Sequence, residues 1–189
     1  MTPNLTAAQL VALRADILAD GALSAIPRND DGFIEIAAAY NLAASPALSV
    51  WRTDAQVKDI LDAMTFSNYT PNDPPDGTAL YTNRALVIQT KQMNLQTMLQ
   101  GRQSIDASRA NIRLALRDAV IALPSGTGGD AQSAGGASGA TVLAACKRNA
   151  TRAEKLFAAG SATTGATTAN LLVNEGVLTH ADVSSALAN

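Results

Sequence analysis

Cysteine occurs once in the chain, at Cys146, and histidine once, at His180. One cysteine excludes an intrachain disulfide and a cysteine-rich metal site. A single histidine, with no serine or cysteine partner identifiable beside it, leaves no nucleophile, base and orienting group to assemble. Aromatic residues make up only 4% of the chain, while alanine is abundant. Alanine favours helices and lets them approach closely, but it gives little bulk for a deep core, so part of the stability is expected from subunit contacts. No apolar run approaches the roughly 20 residues of a membrane span. Met1 leads into a polar stretch with Pro3 and Asn4 instead of a basic and then apolar one, so no signal peptide is expected. The expectation is a protein made and kept in a reducing, soluble compartment.

Excess positive charge is also missing. The formal net charge is −2, which argues against a dedicated nucleic-acid binder. The distribution is uneven: residues 1–76 carry ten acidic and four basic side chains, and residues 77–189 carry six acidic and ten basic ones. That polarity suits head-to-tail stacking, with one protomer's acidic side against the next one's basic side.

What is present is helical periodicity, centred on residues 78–123. Apolar side chains recur at Tyr81, Ala85, Ile88, Leu95 and Leu99, with Met98 beside them, and Gly101 stands where a helix end favours positive φ. The remaining positions are amide-rich (Gln89, Gln92, Asn94, Gln96, Gln100), and Lys91 is the only charge between Arg84 and Arg102. Amides donate and accept hydrogen bonds without the desolvation cost of an ion, which suits contact with other subunits; an ordinary polar surface is the plainer alternative. A second helix is predicted from an N-cap at Asp106, with Ile112, Ala115, Leu116, Ala119, Val120 and Leu123 inward. Arg109, Arg113 and Arg117, spaced by four, form a row along its side. Such a row can follow a phosphate backbone, stand in solvent, or meet acids of a neighbouring subunit; three arginines are too few to specify nucleic-acid binding.

Shorter helices flank this centre. Thr6–Gln9 has capping-box spacing ahead of Leu10, Leu13, Ile17 and Leu18, with Gly21 the expected stop. Asn29 to Gly32 forms a turn whose acids favour the next helix start, carrying Phe33, Ile34, Ile36, Ala37 and Tyr40. The ligand positions of a calcium loop are not filled there. Val50–Arg52 is a brief extended piece that puts Trp51 in the core. Thr53–Gln56 is predicted as another capping box, opening a helix with Val57, Ile60, Leu61 and Met64 inward. Asp59 and Asp62 there lack the partners that acid-base catalysis requires. Pro71, Pro74 and Pro75 forbid regular structure before residue 77.

Beyond Pro124, residues 125–139 hold six glycines. No Gly-Lys-Ser or Gly-Lys-Thr follows, so the stretch is not a phosphate-binding loop. It is expected either as an arm reaching a neighbouring subunit or as a plain loop. Residues 139–160 are predicted helical, with Cys146 a small buried hydrophobe and Lys147, Arg148, Arg152 and Lys155 forming the most basic part of the chain. A serine-, threonine- and glycine-rich tether follows. Leu171–Val173 and Val177–Leu178 suggest a strand pair or docking peptide, and Thr179–Asp182 is a last capping box with His180 incidental. The expected fold is mainly α: a helical bundle around a long central hairpin, with a Gly-rich extended loop or hairpin and an extended C-terminal segment. The divisions are 1–123 for the bundle, 124–139 for the arm, 140–160 for the basic segment, and 161–189 for the tether.

Val50-Trp51-Arg52-Thr53-Asp54, Tyr81-Thr82-Asn83-Arg84, residues 89–99, and the run from Ala144 through Cys146-Lys147-Arg148 to Leu156-Phe157 together carry a likeness. Over nearly its whole length the chain resembles small proteins encoded among the structural genes of long-tailed bacteriophages, taken as head-tail connector (adaptor or head-completion) components of the neck. The motifs are packing and contact motifs, with no family active-site residues or cofactor to carry over. The resemblance implies a non-enzymatic homo-oligomeric ring, most often twelve-fold. It would lie beneath the portal protein, meet a tail-side connector or stopper, and surround the DNA channel without sequence-specific contact. The implied location is the virion neck after synthesis in the host bacterial cytoplasm, with no membrane partner. A helical chain favours an adaptor over a stopper or tail terminator, which tend to be β-rich. A small helical DNA-binding or regulatory protein is the competing class; it would call for a recognition helix and a basic domain, and the acidic first half opposes both.

Overall fold

The computed structural model describes residues 5–69, 79–120, 136–158, 169–172 and 175–188. The fold is mainly α, with two two-stranded sheets among the described residues. It divides into two compact units. One draws on Met1–Val50, Asn149–Thr163 and Ala169–Asn189, and the other on Trp51–Arg148.

The first unit joins both ends of the chain. Helix α1 (Ala7–Ala19) opens on the capping box of Thr6 and Gln9 and buries Leu10, Leu13 and Ile17 at the period of a helix. Gly21 is not its stop. Asp20 ends α1 in an extended conformation, and its carboxylate accepts the Ala22 and Leu23 N–H groups that begin α2 (Gly21–Ser24). Helix α3 (Asp30–Asn41) is capped by the Asn29 side chain, which accepts the Gly32 N–H, with Asp30 and Asp31 in its first turn. Gly32 is required here, because a β-carbon would lie 1.9 Å from the Pro27 carbonyl oxygen.

Two elements from far along the sequence complete this unit. Helix α8 (Arg152–Phe157) starts at the capping box of Thr151 and Glu154. Helix α9 (His180–Ala188) starts where the Asp182 carboxylate accepts the Thr179 N–H and the Thr179 hydroxyl accepts the Asp182 N–H. Leu178, Val183 and Ala186 enter one core with Leu10, Leu13, Ile17, Ile36 and Tyr40. Each large side chain so buried contributes roughly 1.5–3 kcal/mol. The Asn41 side chain holds the incoming backbone at both ends, donating to the Leu178 carbonyl (2.9 Å) and accepting the Leu178 N–H (2.8 Å). The expected tether from 161 to 168 lies outside the described residues. Beyond it no strand pair forms among the described residues: Leu171 is exposed, and Asn170 makes a single parallel bridge to Val50.

In the second unit, Thr53–Gln56 is not a capping box. Strand β1 (Ser49–Trp51) leads to β2 (Ala55–Gln56), which pairs antiparallel with β3 (Ser104–Ile105), Ala55 opposite Ile105. Helix α4 (Val57–Asp62) then starts without a side-chain cap, and its first N–H is taken by the Gln103 carbonyl (2.9 Å). The strand pairing supersedes the local motif because it buries Ala55 and Ile105. A 3-10 turn, Phe66–Tyr69, lets the Tyr69 hydroxyl donate to the Ala119 carbonyl at 2.7 Å.

Helix α5 (Ala79–Leu99) buries Ile88, Leu95 and Leu99, and Gly101 beyond it has φ +72°. It packs against α6 (Ala110–Val120), which buries Leu116, Ala119 and Val120. Asp106 is not the N-cap of α6. It closes a turn instead, accepting the Ser108 N–H and hydroxyl and the Arg109 Nε. Helix α7 (Gly136–Ala145) packs on α4 and α6 and buries Val142 and Leu143. The stretch expected to stay helical from 139 is broken at β4 (Lys147–Asn149), which pairs with β1. Of the expected glycine-rich arm, 124–135 lies outside the described residues and 136–139 is the first turn of α7.

Candidate interaction surfaces

The seven basic residues singled out from the sequence are divided between the units, Arg109, Arg113, Arg117, Lys147 and Arg148 in the second and Arg152 and Lys155 in the first. Of the arginine row on α6, only the ends are exposed. Arg109 is held by Asp106 at 3.0 Å. Arg113 lies over the Trp51 ring, 4.6 Å from its centroid, and donates to the Ala107 and Ser108 carbonyls. Arg117 is exposed and has no partner among the described residues. Lys147 also stands over Trp51, at 4.8 Å, where desolvation lowers its pKa. Trp51 is itself buried, so the two cations are spent on holding the indole by its negative face. Arg148 is half-buried on β4.

Arg152 and Lys155 belong to the first unit. The Arg152 guanidinium spans Asp16 and Asp20, both at 2.9 Å, and lies 4.6 Å over the Tyr40 ring. Tyr40, fully buried, donates its hydroxyl to Asp16 at 2.5 Å. The Arg152 hydrogen bond, helped by the two cap N–H groups, holds the Asp20 carboxyl below its ordinary value. Lys155 donates to the Pro46 carbonyl at 2.8 Å. This network clasps α1, α3 and α8 together. The sequence carried half of its signal, the i, i+4 acids Asp16 and Asp20 on the polar flank of α1. Their partner lies more than 130 residues on, with nothing local to announce it.

The outward face of α5 has a different chemistry. Leu86, Gln89, Thr90, Met93, Gln96, Thr97 and Gln100 are exposed, and none is charged. The Thr90 and Thr97 hydroxyls are turned inward onto the Leu86 and Met93 carbonyls. Lys91, the only charged residue between Arg84 and Arg102, directs its ammonium to the Asp118 carbonyl of α6, and desolvation lowers its pKa. An apolar groove of about 340 Å³ runs beside this face, floored by Leu61, Met64, Tyr69, Leu95 and Leu99 and edged by Gln92, Gln96 and Gln100. The four-residue spacing of those glutamines was legible in the sequence. The groove was not, because it depends on where α4 and the 3-10 turn pack.

Cys146 is buried, and burial pushes its thiol up to about 11. Among the described residues no three His, Cys, Asp or Glu side chains gather as a metal site, and no helix is long and apolar enough to cross a membrane. Comparison of the chain with protein-family models, with curated proteins and with solved structures finds no match in any of the three.

Proposed function

We propose that the chain is a structural subunit of a tailed-bacteriophage neck. In this role it forms a ring, most often twelve-fold in proteins of the kind it resembles, between the portal protein and a tail-side connector, around the DNA channel. The finer architecture that goes with this is a helical bundle around the α5–α6 hairpin. The observation that carries it is the outer face of α5 from Leu86 to Gln100: exposed and made of uncharged side chains, with Lys91 directed to α6. A face of this kind loses little on desolvation and gains hydrogen bonds in either direction, as a repeated subunit contact requires. Some of the ionised side chains are committed inside the chain, Asp20, Glu154 and Asp182 capping helices and Arg152 clasping α1 and α8 through Asp16 and Asp20.

Mass spectrometry of purified virions, with gold-labelled antibody against the chain, tests this. Stoichiometric incorporation with label at the head-tail junction is the expected result. Absence from particles, or label on the capsid shell or tail tube, overturns it.

A further inference from the structure

The neck reading, on which the following rests, does not say which surfaces meet between copies. Two helix faces carry complementary features. On α3, Asp31, Ile34, Glu35 and Ala38 are exposed along one stripe, with Ile34 55% accessible. The helix contains no basic residue, and neither Asp31 nor Glu35 is ion-paired among the described residues. Arg28, just ahead of the helix, is exposed and makes no ion pair either. On α6, Ala110, Leu114 and Arg117 are exposed along one stripe, with Leu114 also 55% accessible. Arg117 is the unpartnered end of the arginine row.

We infer that α3 of one copy packs antiparallel on α6 of a second copy of this chain, with Ile34 against Leu114, Arg117 against Asp31, and Glu35 adding to the negative charge of the same stripe. The spacing requires the antiparallel sense. Three residues forward from Leu114 is Arg117, and three residues back from Ile34 is Asp31. In the other direction, Ala110 and Ala38 come opposite each other, and two alanines let the helices approach closely. The charges also sit at the ends that favour them: Asp31 in the first turn of α3, Arg117 in the last turn of α6. Asp118, exposed beside Arg117, lies one residue round the helix and flanks the stripe. Because the two faces differ, the contact is head-to-tail and propagates from copy to copy.

The test uses full-length chains and sedimentation over a range of protein and salt concentrations. Asp31→Lys with Glu35→Lys in one variant, and Arg117→Glu in another, should each weaken self-association by about tenfold or more. Their circular dichroism should not change, since all three positions are exposed. Mixing the two variants should restore association, because each reversed face then meets its reversed complement. As a second measurement, Ile34→Cys and Leu114→Cys chains should crosslink on mixing, and neither should crosslink with itself; the buried Cys146 does not compete. A wild-type chain that stays monomeric at every concentration in low salt overturns the contact, while the neck location is decided separately by the virion experiment. Association that ignores the reversals, or variants that stay apart on mixing, overturns this pair of faces and leaves a ring built on others.

Discussion

Gly32 shows how one side chain's absence shapes the first unit. The Pro27 carbonyl occupies the space where a β-carbon would go, so the turn into α3 closes only over hydrogen. Gly32→Ala should cost about 1–3 kcal/mol, as overpacking in a tight site does, and a lowered midpoint in urea unfolding checks it. Asp20 ties stability to acid. Its carboxyl titrates below the ordinary 3.8 because Arg152 and the cap N–H groups bind its ionised form. The unfolded chain therefore takes up that proton first, and the stabilisation is complete above pH 3.8 and lost as pH falls through the folded value. In Arg152→Met the acid limb of stability against pH should be shallower; equal limbs would refute the clasp. Cys146 works in the alkaline direction. Its folded value of about 11 stands above the ordinary 9, so its contribution is intact below pH 9 and disappears as pH rises towards 11. The thiol should react with a disulfide reagent only after denaturation, and rapid labelling of the native chain would contradict its burial.

At the level of elements, what the sequence made legible followed local chemistry. The capping boxes at Thr6, Thr151 and Thr179 formed as their spacing predicts, because cap and acceptor are three residues apart and need no other chain segment. Thr53–Gln56 has the same spacing and became a strand, since Ile105 offers Ala55 a buried neighbour that the four-residue motif cannot reveal. The interruption of the predicted helix at Lys147 has the same origin: β1 is its partner, and Trp51 binds the cation. Amide spacing on α5 was visible in the sequence, whereas the split of the arginine row into paired, stacked and free members was not. The role proposed for α5 can be tested apart from folding. Met93→Glu, at an exposed position, should change stability by less than about 0.5 kcal/mol, yet sharply reduce incorporation into particles. Quantitative mass spectrometry of virions measures the second effect, and normal incorporation would remove α5 from the assembly surface.

Over the whole molecule, each unit has its own buried set. The described part of the second unit comes from Trp51–Arg148, whereas the first draws on Met1–Val50, Asn149–Thr163 and Ala169–Asn189. Removing α9 by ending the chain after Thr179 deletes Val183 and Ala186 from the first core, and Val183 alone accounts for roughly 1.5–3 kcal/mol. Amide exchange should then show α1 and α3 unprotected while α5 and α6 keep their protection. Uniform loss across the chain would mean that the two units unfold as one.

The Asn41 grip on Leu178 sets a timetable for synthesis. The first fifty residues leave the ribosome with Leu10, Leu13, Ile17 and Tyr40 prepared for neighbours that have not yet been translated, and they wait uncovered while the middle of the chain emerges and folds. Only translation through residue 188 delivers α9 and lets the Asn41 amide close on Leu178. Until residue 178 is made, the apolar faces of α1 and α3 stand open, so a chain stalled before that point exposes the surface that invites aggregation or proteolysis.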